Sequence, residues 1–479
     1  MNSQEAEVAA LLSAGADRVI ETACARVFLK PGVAFKVKRH VALGYVDFTT
    51  LDRRLWALER EFRFNQATAP DIYRAVRRIT RTEAGGLDLD GSGPLVEPVL
   101  EMRRFDADAV LSSQPQVIDG SLGESLGRTV ARSHSAAPVC ADAGGAAGMR
   151  YTINSNAQLL RGLAPRLGAE AIEDLISATD AEFDRRAGLL EARRAEGFVR
   201  RCHGDLHLGN ILLEDGRPVL FDCIEFNDML SEIDVLYDLA FLLMDLDFLG
   251  RRDAGVRVLS AWLDETARNF PPAHWDGLAL LPLMLSMRAA VRAHVNANSG
   301  DDATARRYLA AAAAHLEPPP PSLMAVGGLS GTGKTTFARA VAPAIGVSPG
   351  AVILRSDEVR KRLAGVAPDE RLPPEAYSPQ RDEAVHGVLF TDATRALAAG
   401  HAVVLDATFM DPARRAAAES LAKAAGVAFE GVWLELPAEI ARARLAARRG
   451  DASDATVEIY ERQVAADLGP ISWRRQAAV

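Results

Sequence analysis

Four consecutive prolines, residues 318–321, divide the chain. Proline lacks a backbone N–H and fixes φ, so such a run cannot lie inside a helix or a central strand and favours extended polyproline II. The run follows an Ala-rich helical pattern, DDATARRYLAAAAAHLE, and precedes a short apolar stretch. With 479 residues the chain is also too long for one typical core. We therefore expect a proline linker between residues 1–317 and residues 322–479.

The part before the prolines divides again. Short β-like runs occupy residues 20–105 around one helical stretch, TTLDRRLWALEREFRFNQ, whereas helical patterns dominate residues 106–317. This order predicts a small strand-rich lobe followed by a large helical lobe. After the prolines, strand and helix patterns alternate, which is typical of an α/β domain with a parallel sheet and helices on both faces.

Composition argues against several classes of protein. The net charge of −9 lacks the positive excess of a long nucleic-acid footprint, so small substrates fit better than nucleic acid. The four cysteines show no CxxC pair and no metal-ligand spacing, which suits a reducing compartment. The N-terminus lacks a signal-peptide pattern, and Asp or Pro interrupts the most apolar windows. We therefore expect a cytoplasmic protein without a membrane partner.

The stretch RCHGDLHLGNILL, residues 201–213, contains the pattern H-x-D-x4-N, and Asp222 follows the apolar run PVLF. Phosphoryl transfer from ATP needs a carboxylate that orients or deprotonates the acceptor hydroxyl, together with oxygen ligands for Mg²⁺. Asp205 suits the first role, and Asn210 and Asp222 suit the second. The alternative is a polar turn between two strands, but the joint spacing favours the catalytic interpretation.

The segments HGDLHLGNILL and VLFDCIEF resemble the aminoglycoside phosphotransferase and choline-kinase-like family, whose members are relatives of the protein kinases. The resemblance covers roughly residues 20–315 and is strongest at residues 201–240. It implies a two-lobed α+β protein-kinase-like domain in which Asp205 is the catalytic base. It also implies that Asn210 and Asp222 bind the metal.

A kinase-like small lobe should also supply a lysine for the α- and β-phosphates and a helix glutamate that holds it. VAFKVKR offers Lys36 and Lys38 on one strand face. Lys36 falls where the family pattern A-x-K places it, and Glu61 is preferred to Glu59 as its partner. Glu225 could contact metal or acceptor, or be structural. No G-x-G-x-x-G loop precedes Lys36, so the phosphate cover differs from that of protein kinases and a donor other than ATP stays open.

The second motif, GGLSGTGKT at residues 327–335, fits G-x4-G-K-[ST] between an apolar run and a helical pattern. Its glycines let backbone N–H groups converge on phosphate oxygens at a helix N-terminus. We expect Lys334 to reach the β- and γ-phosphates and Thr335 to bind Mg²⁺. The predicted nucleotide-binding residues are Gly328, Ser330, Gly331, Thr332, Gly333, Lys334, Thr335 and Thr336.

Charged residues after this motif favour a kinase over a motor or GTPase. Asp406 ends a predicted strand in the position of a Walker-B carboxylate and is a second candidate metal ligand. Arg444 and Arg448 are four residues apart and share a helix face. An arginine-bearing helix that closes over phosphates would neutralise charge in the transition state, so both are candidate catalytic residues.

Residues 322–470 resemble the small P-loop kinases, which include gluconate kinase, the 5′-kinase domain of polynucleotide kinase and the zeta-toxin kinases. The resemblance rests on the P-loop and on VILRSDEVRKRL, which carries the element D-x-x-R. It implies that Asp357 is the acceptor base and that Arg360 binds substrate. From the residues alone, Asp357 could be a helix N-cap and Arg360 a surface charge.

Three functions fit these patterns. The leading hypothesis is a bifunctional kinase that uses ATP and Mg²⁺ in each half to phosphorylate a hydroxyl of a small metabolite such as a sugar or amino sugar. In the second hypothesis, one half is the enzyme and the other regulates it by binding nucleotide. The third is a nucleic-acid end-processing or toxin-like kinase. The patterns specify neither the acceptors nor the oligomeric state, because a fold family does not specify a substrate.

Overall fold

The computed structural model describes residues 3–43, 46–447 and 452–478. The chain forms two compact units. Unit 1 contains Met1–Val117, Asp142–Gly144 and Arg200–Ile233. Unit 2 contains the remaining segments, Ile118–Ala141, Gly145–Val199 and Asp234–Val479.

The elements before the proline run alternate between short strands and longer helices. In chain order they are α1 (Ser3–Ser13), β1 (Arg18–Glu21), β2 (Ala25–Lys30), β3 (Val33–Lys38), β4 (Ala42–Leu43), β5 (Val46–Asp47), α2 (Leu51–Asn65), β6 (Tyr73–Arg81), β7 (Leu87–Leu89), β8 (Leu95–Arg103), α3 (Gly120–Ala136), α4 (Gly145–Gly162), α5 (Ala164–Leu167), α6 (Ala169–Ala195), β9 (Val199–Arg201), β10 (Ile211–Glu214), β11 (Arg217–Leu220), α7 (Asp228–Ser231), β12 (Glu232–Asp234), α8 (Val235–Phe248), α9 (Arg252–Thr266), α10 (Leu281–Asn298) and α11 (Asp302–His315).

The elements after the proline run alternate more regularly. They are β13 (Ser322–Gly327), α12 (Lys334–Val341), β14 (Val352–Arg355), α13 (Ser356–Ala364), α14 (Pro379–Ala398), β15 (Val403–Asp406), α15 (Pro412–Ala425), β16 (Ala428–Glu435), α16 (Ala438–Ala447), α17 (Val457–Val464) and β17 (Arg474–Ala477).

In unit 1, an antiparallel sheet with the strand order β1-β2-β3-β8-β6-β7 carries one helix on each face. Alternation along β2 and β3 sends Phe28 and Val37 to the face covered by α1, where they meet Val8. The other face packs against α2 through Leu58 and Leu100. This arrangement confirms the expected strand-rich lobe and aligns β3 with α2, the two elements that carry the predicted lysine and glutamate.

In unit 2, the five-stranded sheet has the order β14-β15-β13-β16-β17, and every neighbouring pair is parallel. The buried apolar runs of β13, β14 and β15 are the pattern expected of strands covered on both faces. The predicted α/β fold of residues 322–479 is therefore confirmed. The loop between β13 and α12 holds the GGLSGTGKT motif at the carboxyl end of the central strand.

The helical segments of unit 2 form the predicted helix-rich region. Helix α8 buries nearly every side chain along its length, as a helix apolar on all sides should. Among the described residues, one stretch, Pro272–Asn298, is long and apolar enough to cross a membrane. Its most apolar window is 78% buried inside the protein, as expected of a helix in a protein core.

Helix α9 belongs to two packed layers. On one side it lies so close to α3 that a Cβ at Gly127 would collide with the carbonyl oxygen of Val258. On the other side its Val256 is part of the apolar core of the parallel sheet. The Ser260 Oγ also accepts a hydrogen bond from the Ile353 N–H on the edge strand β14, at 3.0 Å. Helix α9 therefore covers an edge of the P-loop sheet.

Replacement of Gly127 by alanine tests the close approach of α3 and α9. We expect Gly127→Ala to lower the free energy of unfolding by about 1–3 kcal/mol, because the added methyl forces the two helices apart. Gly148→Ala is the matched control, since a Cβ at Gly148 in α4 meets nothing within 4 Å. It should raise the free energy of unfolding by up to about 1 kcal/mol through helix propensity. Urea unfolding measures both, and equal effects would contradict the packing account.

Candidate active sites

The catalytic-loop candidate of unit 1 is held by contacts within the loop and to β11's end. His203 Nδ1 accepts a hydrogen bond from the Asp205 N–H at 3.3 Å, so its Nε2 carries the proton and donates to the Phe221 carbonyl oxygen at 2.8 Å. Asn210 Nδ2 donates to the Asp205 backbone oxygen at 2.9 Å and to its Oδ2 at 3.0 Å. The structure therefore brings Asp205 and Asn210 together as the H-x-D-x4-N spacing predicts.

His207 is a member of this loop that the sequence analysis did not single out. Its Nδ1 accepts from the Gly209 N–H at 2.9 Å, which leaves the proton on Nε2. That nitrogen lies 3.4 Å from Asp205 Oδ2. His207 and Asn210 thus orient the same carboxylate oxygen. The sequence places His207 two residues after Asp205, which could have indicated this role. A histidine in a loop also has many structural roles, so its position alone did not predict the contact.

The second group in unit 1 joins β3, α2 and the loop after β11. Lys36 Nζ donates to Glu61 Oε1 at 2.6 Å and to Asp222 Oδ1 at 2.9 Å. Burial lowers the pKa of Lys36, but the carboxylates of Asp222 and Glu61 outweigh it and raise that pKa well above its usual range. Asp222 has φ +61°, a left-handed conformation, and its N–H donates to Tyr73 Oη at 3.1 Å. The strained backbone presents a half-exposed carboxylate beside a permanently charged lysine.

A buried pair extends this group. Lys38 Nζ donates to Glu61 Oε2 at 2.7 Å and to Glu225 Oε1 at 2.5 Å, and all three side chains are enclosed. Burial raises the pKa of Glu61, but Lys36 and Lys38 together lower it to about 2. For Glu225, burial prevails and raises the pKa. Lys38 and Glu225 form a buried strut between β3 and the loop of Asp222, a role that the sequence left open for Glu225 and did not assign to Lys38.

The oxygen donors of unit 1 fit a magnesium ion. The Asn210 amide donates through Nδ2 to Asp205, so its Oδ1 is the atom able to coordinate a cation. Asp222 supplies a carboxylate that is half exposed. An amide oxygen and a carboxylate are ligands that Mg²⁺ prefers when the remaining positions are filled by water and phosphate.

The P-loop of unit 2 surrounds the start of α12. Gly333, the N-cap of α12, has φ +87°, a conformation that favours glycine. Lys334 Nζ donates to the Leu329 carbonyl oxygen at 2.9 Å and so lies back across the loop. Thr332 Oγ1 donates to the same carbonyl at 2.8 Å, and Gln463 accepts from the Ser330 N–H at 2.7 Å. The sequence did not predict this contact of Gln463, which lies on α17, because no motif surrounds that residue.

The rest of the predicted loop lies in the same turn. Gly328, Gly331 and Gly333 all have positive φ, and Thr336 is exposed in the first turn of α12. Thr335 Oγ1 donates to Asp406 Oδ2 at 2.6 Å, and Asp406 is buried at the end of β15. A hydroxyl and a carboxylate oxygen at one position fit Mg²⁺.

Asp357 is placed among charged groups of the P-loop site. Burial raises the pKa of its carboxyl, and the neighbouring Asp406 raises it further, while Arg355, a hydrogen bond from Ser453 and Lys334 act in the opposite direction. The raised pKa suits a general base better than an ordinary surface aspartate would.

Arg355 is a charged side chain that the sequence analysis passed over. It ends the buried strand β14, and its Nη1 donates to Glu358 Oε1 at 3.1 Å while its Nε lies 3.5 Å from Asp406 Oδ2. It is only 5% exposed. An arginine that ends a buried strand two residues before Asp357 of the D-x-x-R element was a signal for this position.

Arg360, the predicted substrate-binding residue, and Arg444, a predicted lid residue, lie in different surroundings. Arg360 is buried, stacks on the Tyr377 ring and donates to Asp382 Oδ1 at 2.5 Å and to the Ala376 carbonyl oxygen at 3.0 Å. Arg444 lies on α16 against the P-loop, where a Cβ at Gly333 would be 3.3 Å from its Nη1. Arg448, the other predicted lid arginine, lies outside the described residues.

Lys36→Met and Lys38→Met separate a phosphate-binding lysine from a structural one on the same strand face. We expect Lys36→Met to lower kcat/KM for ATP in Asp205-dependent transfer by about 100-fold, because one charged donor to phosphate is lost. Lys38→Met should lower the free energy of unfolding by about 3–5 kcal/mol, because it leaves buried carboxylates without their cation. Steady-state kinetics and urea unfolding measure the two effects. A stable but inactive Lys38→Met would contradict this division.

The raised pKa of Asp357 predicts a pH dependence for the P-loop half. A base acts when it is deprotonated, so Lys334-dependent activity should fall as the pH drops through a value above the ordinary 3.8. Ser453→Ala removes a hydrogen bond that lowers this pKa, so the acid limb of the kcat/KM profile should move to higher pH. Ser420→Ala, at an exposed position of α15, is the control and should leave the limb unchanged. A limb insensitive to Ser453→Ala would exclude Asp357 as its origin.

Comparison with known families matches both halves. The Phosphotransferase enzyme family matches residues 54–281, and a family described as AAA domain matches residues 323–466. The uncharacterized protein Rv2004c of Mycobacterium tuberculosis strain H37Rv is 34% identical over 458 residues, which cover 92% of this chain and 88% of that relative. The uncharacterized protein Mb2027c of Mycobacterium bovis matches to the same extent.

Two solved kinase structures resemble parts of the chain. A choline kinase from Cryptosporidium parvum has a TM-score of 0.40 at 11% identity and covers 63% of this chain and 87% of its own. A gluconokinase from Sinorhizobium meliloti has a TM-score of 0.22 at 18% identity and covers 33% of this chain and 83% of its own. Since both TM-scores are low, the family assignment rests on the sequence matches. This chain belongs to one family with its uncharacterized mycobacterial relatives, and it is an ATP-dependent kinase that joins a region matching the Phosphotransferase enzyme family to a region matching an AAA domain.

Proposed function

We propose that this protein is a bifunctional phosphotransferase in which each half transfers the γ-phosphoryl group of ATP to a hydroxyl of a small metabolite. The observation that supports the proposal is that each half contains a candidate base, a candidate phosphate-binding lysine and oxygen donors that suit Mg²⁺. In unit 1 these are Asp205, Lys36 and the Asn210 and Asp222 side chains. A module that only sensed nucleotide would not need a base.

In the first half, Asp205 takes the proton of the acceptor hydroxyl as the acceptor oxygen bonds to the γ-phosphorus. The bond from that phosphorus to the bridging oxygen breaks, and ADP leaves with the electron pair. His207 and Asn210 keep the carboxylate in one orientation. Lys36, held by Glu61, supplies a fixed positive charge for the phosphates.

In the second half, Asp357 is the proposed base, and backbone N–H groups of the P-loop cradle the phosphates. Lys334 exchanges its contact with the Leu329 carbonyl oxygen for a phosphate oxygen. Arg444 and Arg448 are proposed to neutralise charge on the transferred group, and Arg360 to contact the acceptor. Magnesium held by Thr335 and Asp406, and by Asn210 and Asp222 in the first half, would neutralise phosphate charge and orient the phosphates.

The acceptors we propose are sugars, amino sugars or similar hydroxylated metabolites. The absence of a positive excess in the sequence supports small acceptors over nucleic acid. Assignment of residues 1–317 and 322–479 to two domains joined by the prolines, and a cytoplasmic location, stay predictions. Regulation of one half by nucleotide in the other, and transfer to nucleic-acid ends, are the alternatives that the experiment separates.

The test is transfer of phosphate from labelled ATP into a small-molecule extract, with the products identified by mass spectrometry. We expect Asp205→Asn to lower one product by about 10²–10⁴-fold, because a general base is lost. Lys334→Ala should lower a different product by about 10²–10³-fold, because a phosphate donor is lost. Asp215→Asn and Lys423→Ala, at exposed positions, are the matched controls and should leave both products unchanged.

The outcomes distinguish the alternatives. Loss of different products shows two kinases and names their acceptors. Loss of the same product in both variants shows one pathway or regulation of one half by the other. If Asp205→Asn changes nothing, the first half is a binding module and the bifunctional proposal is wrong. Addition of oligonucleotides with 5′-hydroxyl ends as acceptors tests the nucleic-acid alternative directly.

A further inference from the structure

Helix α3, which precedes the proline run by nearly two hundred residues, sends two charged side chains to the P-loop region of unit 2. Glu124 accepts a hydrogen bond from Arg257 on α9 and one from Arg339 Nη2 on α12 at 3.1 Å. Arg128, one turn further along α3, lies 3.4 Å through its Nη2 from Glu358 Oε1 on α13. Helix α12 begins at Lys334, and α13 carries Asp357, so the helices that carry the P-loop lysine and the proposed base both contact α3.

Further contacts connect Arg128, through Glu358 and Arg355, to the candidate metal ligands. The oxygen that faces Arg128, Glu358 Oε1, also accepts a hydrogen bond from Arg355 Nη1 at 3.1 Å. Arg355 Nε lies 3.5 Å from Asp406 Oδ2. The same Asp406 oxygen accepts from Thr335 Oγ1 at 2.6 Å. A continuous series of charged contacts therefore runs from α3 to the site where Mg²⁺ is proposed to bind.

This series is enclosed. The side chains of Arg355, Glu358 and Asp406 are each less than 10% exposed, and Arg128 is 12% exposed. Together with Glu124, Arg257 and Arg339, Arg355 and Glu358 line a cavity of about 20 Å³, which has room for about one water molecule. Charges in such a site are weakly screened, so removal of one changes the balance on the others.

We propose that Arg128 is a positioning residue for the P-loop kinase site, although it lies in the helical region of the first half. Arg128 shares the negative charge of Glu358 with Arg355. With that charge shared, the guanidinium of Arg355 is left in contact with Asp406 as well. Without Arg128, Arg355 would be the remaining arginine in contact with Glu358. The stronger attraction to Glu358 would then draw the Arg355 guanidinium away from Asp406. The proposal rests on the proposed phosphoryl transfer by the P-loop half.

The chain offers a matched control for this role. Arg132 lies one turn after Arg128 on α3, is 65% exposed and contacts Glu265 of α9 at 3.2 Å. Arg128 also contacts Glu265, at 3.5 Å, and Asp264, at 3.4 Å. Both arginines therefore join α3 to α9, but Arg128 is the one that the structure places against Glu358.

The test measures Lys334-dependent turnover of ATP in the full chain, with Lys334→Ala as the background. We expect Arg128→Gln to lower kcat by about 10-fold, the low end of the loss caused by removing residues that support metal ligands from outside, while KM for ATP changes less than about twofold. Arg128→Lys should recover most of the rate, because it restores the charge beside Glu358. Arg132→Gln should leave kcat and KM unchanged.

A double-mutant cycle tests whether Arg128 acts through Glu358. If it does, Arg128→Gln combined with Glu358→Gln should be no slower than the slower single variant. Multiplied losses would overturn the proposal, as would a fall in turnover that only follows the amount of folded protein measured by circular dichroism. If the wild type shows no Lys334-dependent turnover, the proposed function of this half fails and the inference with it. If the wild type turns over and Arg128→Gln equals it, the inference alone fails.

Discussion

The burial of helix α9 is the interaction on which most of unit 2 depends. The edge strand β14 would present unpaired backbone groups and an uncovered apolar face if α9 were absent. Val256 completes the core under the parallel sheet, and Ser260 accepts from the Ile353 N–H. The opposite side of α9 packs on α3 closely enough to require Gly127. One helix thus belongs at once to the helical region of the phosphotransferase half and to the P-loop sheet, and for this reason the compact unit extends across the prolines.

The two sites place their charges in similar ways. In each, a carboxylate near the end of a strand or loop accepts a short contact from a residue that the motif supplies, Lys36 to Asp222 in one and Thr335 to Asp406 in the other. In each, a buried charged side chain lies close by: Glu61 shares Lys36 with Asp222 in unit 1, and Arg355 Nε lies 3.5 Å from Asp406 Oδ2 in unit 2. Burial disfavours the charged form of such groups, and neighbouring charges of opposite sign act against that effect. The opposite pKa directions of Glu61 and Glu225 show how evenly these effects are balanced.

The sequence correctly predicted which residues lie together where local spacing or a family pattern determines the pairing. Lys36 and Glu61, paired by period and by family pattern, lie 2.6 Å apart, and Asp205 and Asn210 are joined within one loop. The sequence analysis named Lys38 and Glu225 but did not predict that they contact each other, because they lie 187 positions apart in the chain. Arg355 was passed over because its contact with Asp406 depends on the pairing of β14 with β15, which the sequence did not specify. A charge at the end of a buried strand needs a partner, but the strand itself does not say which element provides it.

The amino-acid sequence by itself determined the P-loop turn, the H-x-D-x4-N loop, the parallel character of the second sheet and the strand-rich lobe that precedes the helices. These features depend on glycine conformations, on backbone N–H groups near each motif and on the period of apolar residues, all of which act over a few positions. Only the tertiary structure decided which helix covers β14 and which arginine faces Glu358. Arg128 and Glu358 are 230 residues apart, and their meeting depends on how α3, α9 and the sheet pack, since no local preference encodes a contact over that separation.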